Sequence, residues 1–175
     1  DDTLKIVFSL IENSTTPLVL DADALNCVAK QPEILLRKKT SIIITPHPGE
    51  MSRLTGLATP LVNAERQRVA LAFAQKYGVV TVLKGAGTVI ASPNGKVLVN
   101  PTGNSGMATG GSGDVLAGMT VSILAQGASA FSSAAAAVYL HGLAGDIAAE
   151  KYGKISMLPT DLINCIPLAY KRCDF

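Results

Sequence analysis

The sequence predicts an α/β fold in which helices cover both faces of a mostly parallel sheet, forming a three-layer sandwich. Three short apolar runs, residues 17–21, 41–46 and 79–85, are typical of strands buried on both faces. Segments with helical spacing of apolar residues separate these runs, and strands that alternate with helices imply parallel crossover connections. The 175 residues, 48% of them hydrophobic, are sufficient for one domain with a substantial core.

Helical spacing and terminal residues predict the helices of the first half of the chain. Apolar residues recur at helical spacing over 2–12, and the segment between the first two strands, up to Lys39, is typical of a broken helix. Pro48 is expected to begin a helix after the second strand. Asn63 is predicted to cap a longer helix that runs through Tyr77 and ends at the following glycine.

The second half of the chain begins with a predicted β-hairpin. Residues 88–91 and 96–100 flank the turn SPNG, which is typical of two strands that pair at the edge of a sheet. Three further helices are predicted over 112–126, 129–151 and 160–172. No repeat or linker interrupts this pattern, so we expect a single domain.

Composition argues against several classes of function. The net charge is only +2, Trp is absent and no basic run is interleaved with aromatic residues, so nucleic-acid binding is not expected. No uninterrupted apolar stretch predicts a membrane span. Three cysteines without a CxxC pair favour reduced thiols in a cytoplasmic protein. HExxH and paired Cys/His spacings are absent, so no metal site built from protein ligands alone is expected.

One or two polar residues stand immediately after each buried strand: Asp21 and Asp23, then His47, then Lys84. Ligands of open parallel sheets bind beyond the carboxyl ends of the strands, so we expect these residues to meet at one site. Structural alternatives remain open at this point. The two aspartates can form an Asx turn and helix cap, the histidine a proline-flanked turn, and the lysine an exposed strand end.

The stretch NSGMATGGSGDVLAGM, residues 104–119, joins a glycine-rich loop to a helix. It lacks the GxxxxGK[ST] and GxGxxG patterns of common phosphate-binding loops. The serine-hydrolase pattern GxSxG fails at its last position, Asp114, so Ser112 is not expected to be a nucleophile. His141 lies in an alanine-rich helical segment and is expected to pack there rather than act in catalysis.

The amides of Gly110, Gly111, Ser112 and Gly113 can instead cradle an anion at the positive end of the following helix. The same helix dipole favours the ionised form of Asp114. An ionised carboxylate beside a phosphate cradle can accept the proton of a hydroxyl group during phosphoryl transfer. In the alternative interpretation, Asp114 only stabilises the helix N-terminus and the glycines only form a turn.

Four segments occur in a distinctive order and spacing: VLDADALN, ITPHPGEMSRLTG, VLKGAGTVIA and NPTGNSGMATGGSGDVLAG. Together they closely resemble the nucleotide-dependent NAD(P)H-hydrate dehydratases of the ribokinase-like superfamily. The resemblance implies a ribokinase-like sandwich and a repair activity. Such enzymes remove water from the S epimer of NADH or NADPH hydrate, with the hydrate hydroxyl phosphorylated at the expense of a nucleotide.

The resemblance also implies roles for individual residues. His47 is expected to contact the hydrate, and Asp114 to contact it and serve as the base. The nucleotide is expected to bind to Lys84, Gly85, Ala86, Gly87 and Thr88, with a further contact from Gly113. The segment SGMATGGSGDVLAG is similar to the branch that uses ADP, so we expect ADP to be converted to AMP. Mg²⁺ is expected on the nucleotide phosphates rather than in a protein cage.

The domain of this family normally begins well before the first matching segment, with further strands and a loop for the nicotinamide half. Residues 1–175 are therefore predicted to be the C-terminal portion of a single ribokinase-like domain that lacks its N-terminal part here. A homo-oligomer and a fused or separate hydrate epimerase are the implied partners. Two alternatives remain open: a kinase for a vitamin precursor or sugar, and a non-catalytic nucleotide-binding fragment.

Overall fold

A computed structural model describes residues 2–173, which form a five-stranded sheet with helices on both faces. The strands lie in the order β1 (Leu18–Leu20), β2 (Ile42–Ile44), β3 (Val80–Leu83), β4 (Val89–Ala91) and β5 (Val97–Val99). β1, β2 and β3 pair in parallel, and the β4–β5 hairpin continues the sheet in antiparallel pairing. The three-layer α/β sandwich is confirmed, with a mixed sheet whose first three strands are parallel.

The helices within residues 2–173 follow the predicted order. They are α1 (Asp2–Asn13), α2 (Asp23–Lys30), α3 (Pro48–Thr55), α4 (Thr59–Ala64), α5 (Arg66–Tyr77), α6 (Ser112–Ala125), α7 (Ala130–Tyr152) and α8 (Pro159–Arg172). Short 3₁₀ segments occupy Pro32–Arg37 and Ser105–Met107. The hairpin, the broken helix before Lys39 and the last three helices are therefore confirmed.

The sheet divides the core into two apolar clusters. In β2, Ile42 and Ile44 belong to the cluster packed by α1 to α5, whereas Ile43 belongs to the cluster packed by α6, α7 and α8. All three isoleucines are buried. A strand covered on both faces has no exposed position for a polar side chain, which explains its uninterrupted run of isoleucines.

The helix predicted to begin at Asn63 is instead divided between α4 and α5. Pro60 occupies the first turn of α4, where its fixed φ suits a helix, and Val62 of the same helix is fully buried. Asn63 therefore lies inside α4. The break falls at Glu65, whose backbone is not helical (φ −125°, ψ 40°). The predicted cap was wrong because a proline begins the helix earlier in the chain.

A loop of residues 100–107 packs closely against α7 at two glycines. A Cβ at Gly142 would overlap the backbone and side chain of Thr102, and a Cβ at Gly145 would overlap the side chain of Met107. The absence of side chains at these helical positions lets the loop approach the helix backbone. This contact fixes the path of the loop before it reaches the glycine-rich stretch.

Gly142→Ala is expected to destabilise the protein by about 1–3 kcal/mol, because the backbone of Thr102 must move to admit the methyl group. Gly118→Ala in α6 is the matched control, since a Cβ there meets no other atom within 4 Å. It should stabilise the protein by about 0.5–1 kcal/mol through helix propensity. Urea unfolding measures both changes, and equal effects of the two substitutions would contradict the packing argument.

Candidate functional site

A cavity of about 840 Å³ opens at the carboxyl ends of β1, β2 and β3. Its lining includes every predicted site residue, namely His47, Lys84, Gly85, Ala86, Gly87, Thr88, Gly110, Gly111, Ser112, Gly113 and Asp114. Asp21 also lines the cavity. Asp23 does not, and its carboxylate instead accepts a hydrogen bond from Asn26 within the first turn of α2 (3.3 Å). The expected convergence of strand ends is confirmed for all but this aspartate.

Lys84 lies where the three strand ends meet. Its Nζ is 2.7 Å from Asp21 Oδ1 and 3.9 Å from Glu50 Oε2. Its backbone amide donates to the carbonyl of Pro46 at 2.8 Å. The side chain is 20% exposed, so the alternative of an exposed strand-end lysine is wrong.

Asp21 does not cap the helix that follows it. The N-cap of α2 is Ala22, which makes no side-chain cap hydrogen bond and has a φ of +48°. That φ lies in the left-handed region, which strains a residue with a side chain. The carboxylate of Asp21 is directed to Lys84 instead. The Asx-turn alternative therefore fails for this residue.

Both ring nitrogens of His47, which lines the cavity, lie close to the first turn of α3. Nδ1 accepts hydrogen bonds from the amides of Gly49 (3.0 Å) and Glu50 (3.3 Å), which caps α3. Glu50 Oε2 in turn accepts from the His47 amide at 2.7 Å. Because Nδ1 is an acceptor, Nε2 carries the proton, and it lies 3.4 Å from Glu50 Oε1. The side chain is 49% exposed.

The glycine-rich loop leaves backbone donors free at the start of α6. Gly111 is the N-cap, with a φ of +95°, and no side chain caps this helix. The Ser112 amide, expected to belong to the cradle, instead donates to the carbonyl of Thr109 at 3.3 Å. Within residues 2–173 the amides of Gly113 and Asp114 have no acceptor. A Cβ placed on Gly113 would lie 3.5 Å from Lys84 Nζ. Two unpaired amides, a helix N-terminus and an ammonium group therefore meet, as an anion site requires.

Asp114 is the third residue of α6, the position at which an acid can close a capping box. Glu50 of α3 and Asp161 of α8 occupy the same position, and each accepts a hydrogen bond from the backbone amide of its N-cap residue. Asp114 accepts none, and it makes no ion pair within residues 2–173. Its carboxylate is exposed at the cavity. Helix capping therefore does not account for Asp114.

Ser112 and His141 lie side by side but do not form a catalytic pair. His141 Nε2 lies 2.9 Å from the carbonyl oxygen of Ser112 and 3.4 Å from its hydroxyl. Burial lowers the pKa of His141 to about 4, so the ring is neutral at physiological pH. Its single proton resides on Nε2 as the donor to the carbonyl, so this nitrogen cannot accept the serine proton. His141 is a packed residue of α7, as predicted.

Two residues of the site were missed as functional candidates from the sequence. Glu50 closes the capping box on His47 and lies near Lys84. The HxxE spacing after a strand is the sequence pattern that could have predicted this capping box. Asp146 accepts hydrogen bonds from the Gly103 amide (2.8 Å) and from the Asn104 side chain (3.0 Å). It thereby fastens one wall of the cavity to α7. No local sequence pattern indicates the contacts of Asp146, because they join residues more than forty positions apart.

The described part of the chain holds no group of three His, Cys, Asp or Glu side chains arranged to bind a metal ion. In the same residues, no helix is both long enough and apolar enough to cross a membrane.

The sequence model of the NAD(P)H-hydrate dehydratase family matches residues 1–168. The chain belongs to this family. An ADP-dependent (S)-NAD(P)H-hydrate dehydratase of Neisseria meningitidis is 44% identical over 146 residues, which are 82% of this chain and 49% of that protein. A bifunctional NAD(P)H-hydrate repair enzyme of Moorella thermoacetica is 42% identical over 172 residues, 98% of this chain and 32% of that protein.

A solved structure of the family agrees with the fold. An ADP/ATP-dependent NAD(P)H-hydrate dehydratase of Bacillus subtilis, co-crystallised with ATP and Mg²⁺, matches with a TM-score of 0.88 and 33% identity. The match covers 98% of this chain and 60% of that one. The ribokinase-like sandwich is therefore confirmed. The chain spans from about a third to about 60% of the length of these relatives.

Stability is expected to fall in acid because His141 must be neutral to fold. Its pKa of about 4 in the folded protein lies below the ordinary value of 6.5, so the unfolded state binds this proton more readily. As the pH falls from 6.5 to 4, the free energy of unfolding should decrease by up to about 3 kcal/mol. His141→Gln keeps a donor for Ser112 but does not titrate, so its decrease should be smaller. Urea unfolding between pH 6.5 and 4 measures the free energy of unfolding of both proteins. Identical pH profiles for the wild type and His141→Gln would refute the role of His141.

Proposed function

We propose that the protein repairs hydrated nicotinamide nucleotides. It removes water from the S epimer of NADH or NADPH hydrate and converts ADP to AMP and phosphate. The observation that carries this proposal is the unpaired carboxylate of Asp114 at the cavity, beside backbone amides that have no acceptor. The family of the chain supplies the class of substrate.

The proposed reaction has two steps. The hydrate hydroxyl attacks the terminal phosphorus of ADP, the bond from that phosphorus to its bridging oxygen breaks, and AMP leaves. Asp114 accepts the hydroxyl proton as the new P–O bond forms. The phosphate ester then eliminates: its C–O bond breaks, phosphate leaves, and loss of a neighbouring C–H proton forms the ring double bond. Phosphate is a better leaving group than hydroxide, so a kinase-like site suits a dehydratase.

The amides at the start of α6 are placed to stabilise charge on the transferred group. The N–H groups of Gly113 and Asp114 point along the helix axis, where the dipole adds positive potential. Lys84 adds a charge beside them, and its ion pair with Asp21 holds the ammonium in place. Donors fixed before the reaction need little reorganisation when negative charge develops.

We assign the nucleotide to residues 84–88 and Gly113, and the hydrate to His47 and Asp114. Gly85 and Gly87 have φ values of +144° and +63°, conformations that strain other residues. Without side chains, this loop leaves its backbone open to the phosphates and ribose of a nucleotide. His47 lines the same cavity with its side chain half exposed, so its imidazole can contact a polar group of the hydrate.

The donor set at the cavity fits Mg²⁺ bound chiefly by the nucleotide. Asp21 is paired with Lys84 and Glu50 with the amide of His47, so Asp114 offers the one carboxylate without a partner among the described cavity residues. Mg²⁺ commonly binds through substrate phosphates, waters and one or two carboxylates. When bound, it would neutralise charge on the phosphate oxygens.

Several wider assignments belong to the same proposal. Residues 1–175 form the C-terminal portion of one ribokinase-like domain, and ADP rather than ATP is the phosphoryl donor. The protein is cytoplasmic and forms a homo-oligomer. A fused or separate hydrate epimerase supplies the S epimer, a proposal supported by the bifunctional repair enzyme among the relatives.

The protein, expressed from its complete gene, is expected to restore the dihydronicotinamide absorbance of NADH hydrate when ADP and Mg²⁺ are present. Free phosphate and AMP should appear in equal amounts. Omitting ADP or Mg²⁺ is the control and should abolish recovery. Accumulation of a stable phosphorylated product would instead identify a small-molecule kinase, and nucleotide binding without turnover would identify a non-catalytic module.

Asp114→Asn is expected to lower kcat by about a hundredfold or more, because the amide cannot accept the hydroxyl proton. ADP affinity should change little. Asp161→Asn is the matched control, since it removes the same charge from the same position of α8. It should leave kcat unchanged and lower stability by no more than about 1 kcal/mol, because the amide oxygen can still accept from Leu158 while the charge at the helix N-terminus is lost. Equal kcat values for the two variants would remove Asp114 from the role of base.

A further inference from the structure

Arg66 lies behind the loop of residues 84–88, which we assign to the nucleotide. Its Nη2 donates to the carbonyl of Leu83 at 2.8 Å. The guanidinium also packs on the backbone of Gly85, since a Cβ there would lie 2.7 Å from Nη1. Arg66 lines a second cavity, of about 440 Å³, together with Ala86 and Gly87 of the same loop. The loop therefore separates Arg66 from the larger cavity.

No acidic side chain of the described residues balances the positive charge of Arg66. Within residues 2–173 Arg66 forms no ion pair, and the adjacent Glu65 is paired with Arg68. The Nε atom of Arg66 is buried without an acceptor. Burial lowers the pKa of the guanidinium, although arginine remains protonated in proteins. By contrast, the charge of Lys84, which lines the larger cavity, is balanced by Asp21.

This arrangement is unfavourable for folding in three respects. A buried donor without an acceptor loses its hydration without replacement. A partly buried cation without a partner is also poorly solvated. Arg66 is moreover the first residue of α5, where the helix dipole disfavours positive charge. An anion in front of the loop would offset the last two effects, and the nucleotide phosphates are the anion that the loop is expected to meet.

We infer that Arg66 is a positioning residue for the nucleotide: it holds the loop of residues 84–88 from behind and supplies unbalanced positive charge for the phosphates. The inference rests on the proposed function, because it requires this loop to bind a nucleotide. Arg66 acts through the loop backbone and does not itself touch the ligand. Because Lys84 is paired with Asp21, it contributes less net positive charge to the nucleotide loop than the lysine of the KGAGT segment would suggest.

The test compares Arg66→Met with Arg68→Met. Both substitutions remove one positive charge from α5, but Arg68 is 65% exposed and paired with Glu65. Calorimetry at low ionic strength should show ADP binding about tenfold weaker or more in Arg66→Met, and within about twofold of wild type in Arg68→Met. The difference should shrink at high salt, which screens the charge. Arg66→Met should also unfold at an equal or higher urea concentration than the wild type.

Binding of adenosine, which lacks phosphates, distinguishes the loss of positive charge from a displacement of the loop. Only a displaced loop should weaken adenosine binding. The affinity for adenosine should be the same, within about twofold, in Arg66→Met and the wild type. Arg66→Lys keeps the charge without the planar fork and should bind ADP within about threefold of the wild type. If Arg66→Met does not fold, Arg66→Lys takes its place in the comparison of ADP with adenosine.

Distinct outcomes separate failure of this inference from failure of the proposed function. If the wild type binds ADP and the two methionine variants bind it equally well, the inference is wrong. Equal weakening of ADP and adenosine, in Arg66→Met or in Arg66→Lys, would overturn the role of charge. A wild type that binds no ADP would overturn both the inference and the proposed function.

Discussion

The position of Lys84 constrains the whole site, because this residue joins the ends of three parallel strands. Its amide donates to the carbonyl of Pro46, at the end of β2, and its ammonium pairs with Asp21, at the end of β1. Gly113 at the start of α6 lies against the same ammonium group. Lys84 thereby fixes the relative positions of three segments: the ends of the strands, the loop of residues 84–88 and the start of α6. Displacing it would move every proposed ligand group together.

Paired and unpaired charges lie side by side at the proposed site. Lys84 and Asp21 satisfy each other, and Glu50 serves the backbone of His47. Asp114 and Arg66 have no counter-ion among residues 2–173. The charge of Arg66 is partly buried and therefore costs stability, whereas the exposed carboxylate of Asp114 faces the cavity. A nucleotide with its metal ion and a hydroxyl substrate provides complementary groups for both.

Sequence patterns predicted the parts of the fold and site that depend on local physics. Buried strands, most helix termini and the polar residues at the strand ends were recovered because each depends mainly on residues within a few positions. Asn63 was misassigned because Pro60 competes for the start of the same helix. Arg66 and Asp146 were missed as site residues because their partners are distant in sequence, seventeen positions away for Leu83 in the first case. Such contacts depend on how the loops cross, which local patterns do not determine.

The cradle at the start of α6 is held in place by contacts that leave its free donors unused. The neutral imidazole of His141 binds the carbonyl of Ser112, and Pro159 packs against Gly111. Neither contact uses the amides of Gly113 or Asp114. In the proposed reaction, a phosphoryl group bound at these amides would meet dipoles that are already oriented, which is the condition under which backbone donors stabilise a transition state most effectively. Glycine allows the approach, and the buried histidine supplies the rigidity that glycine lacks.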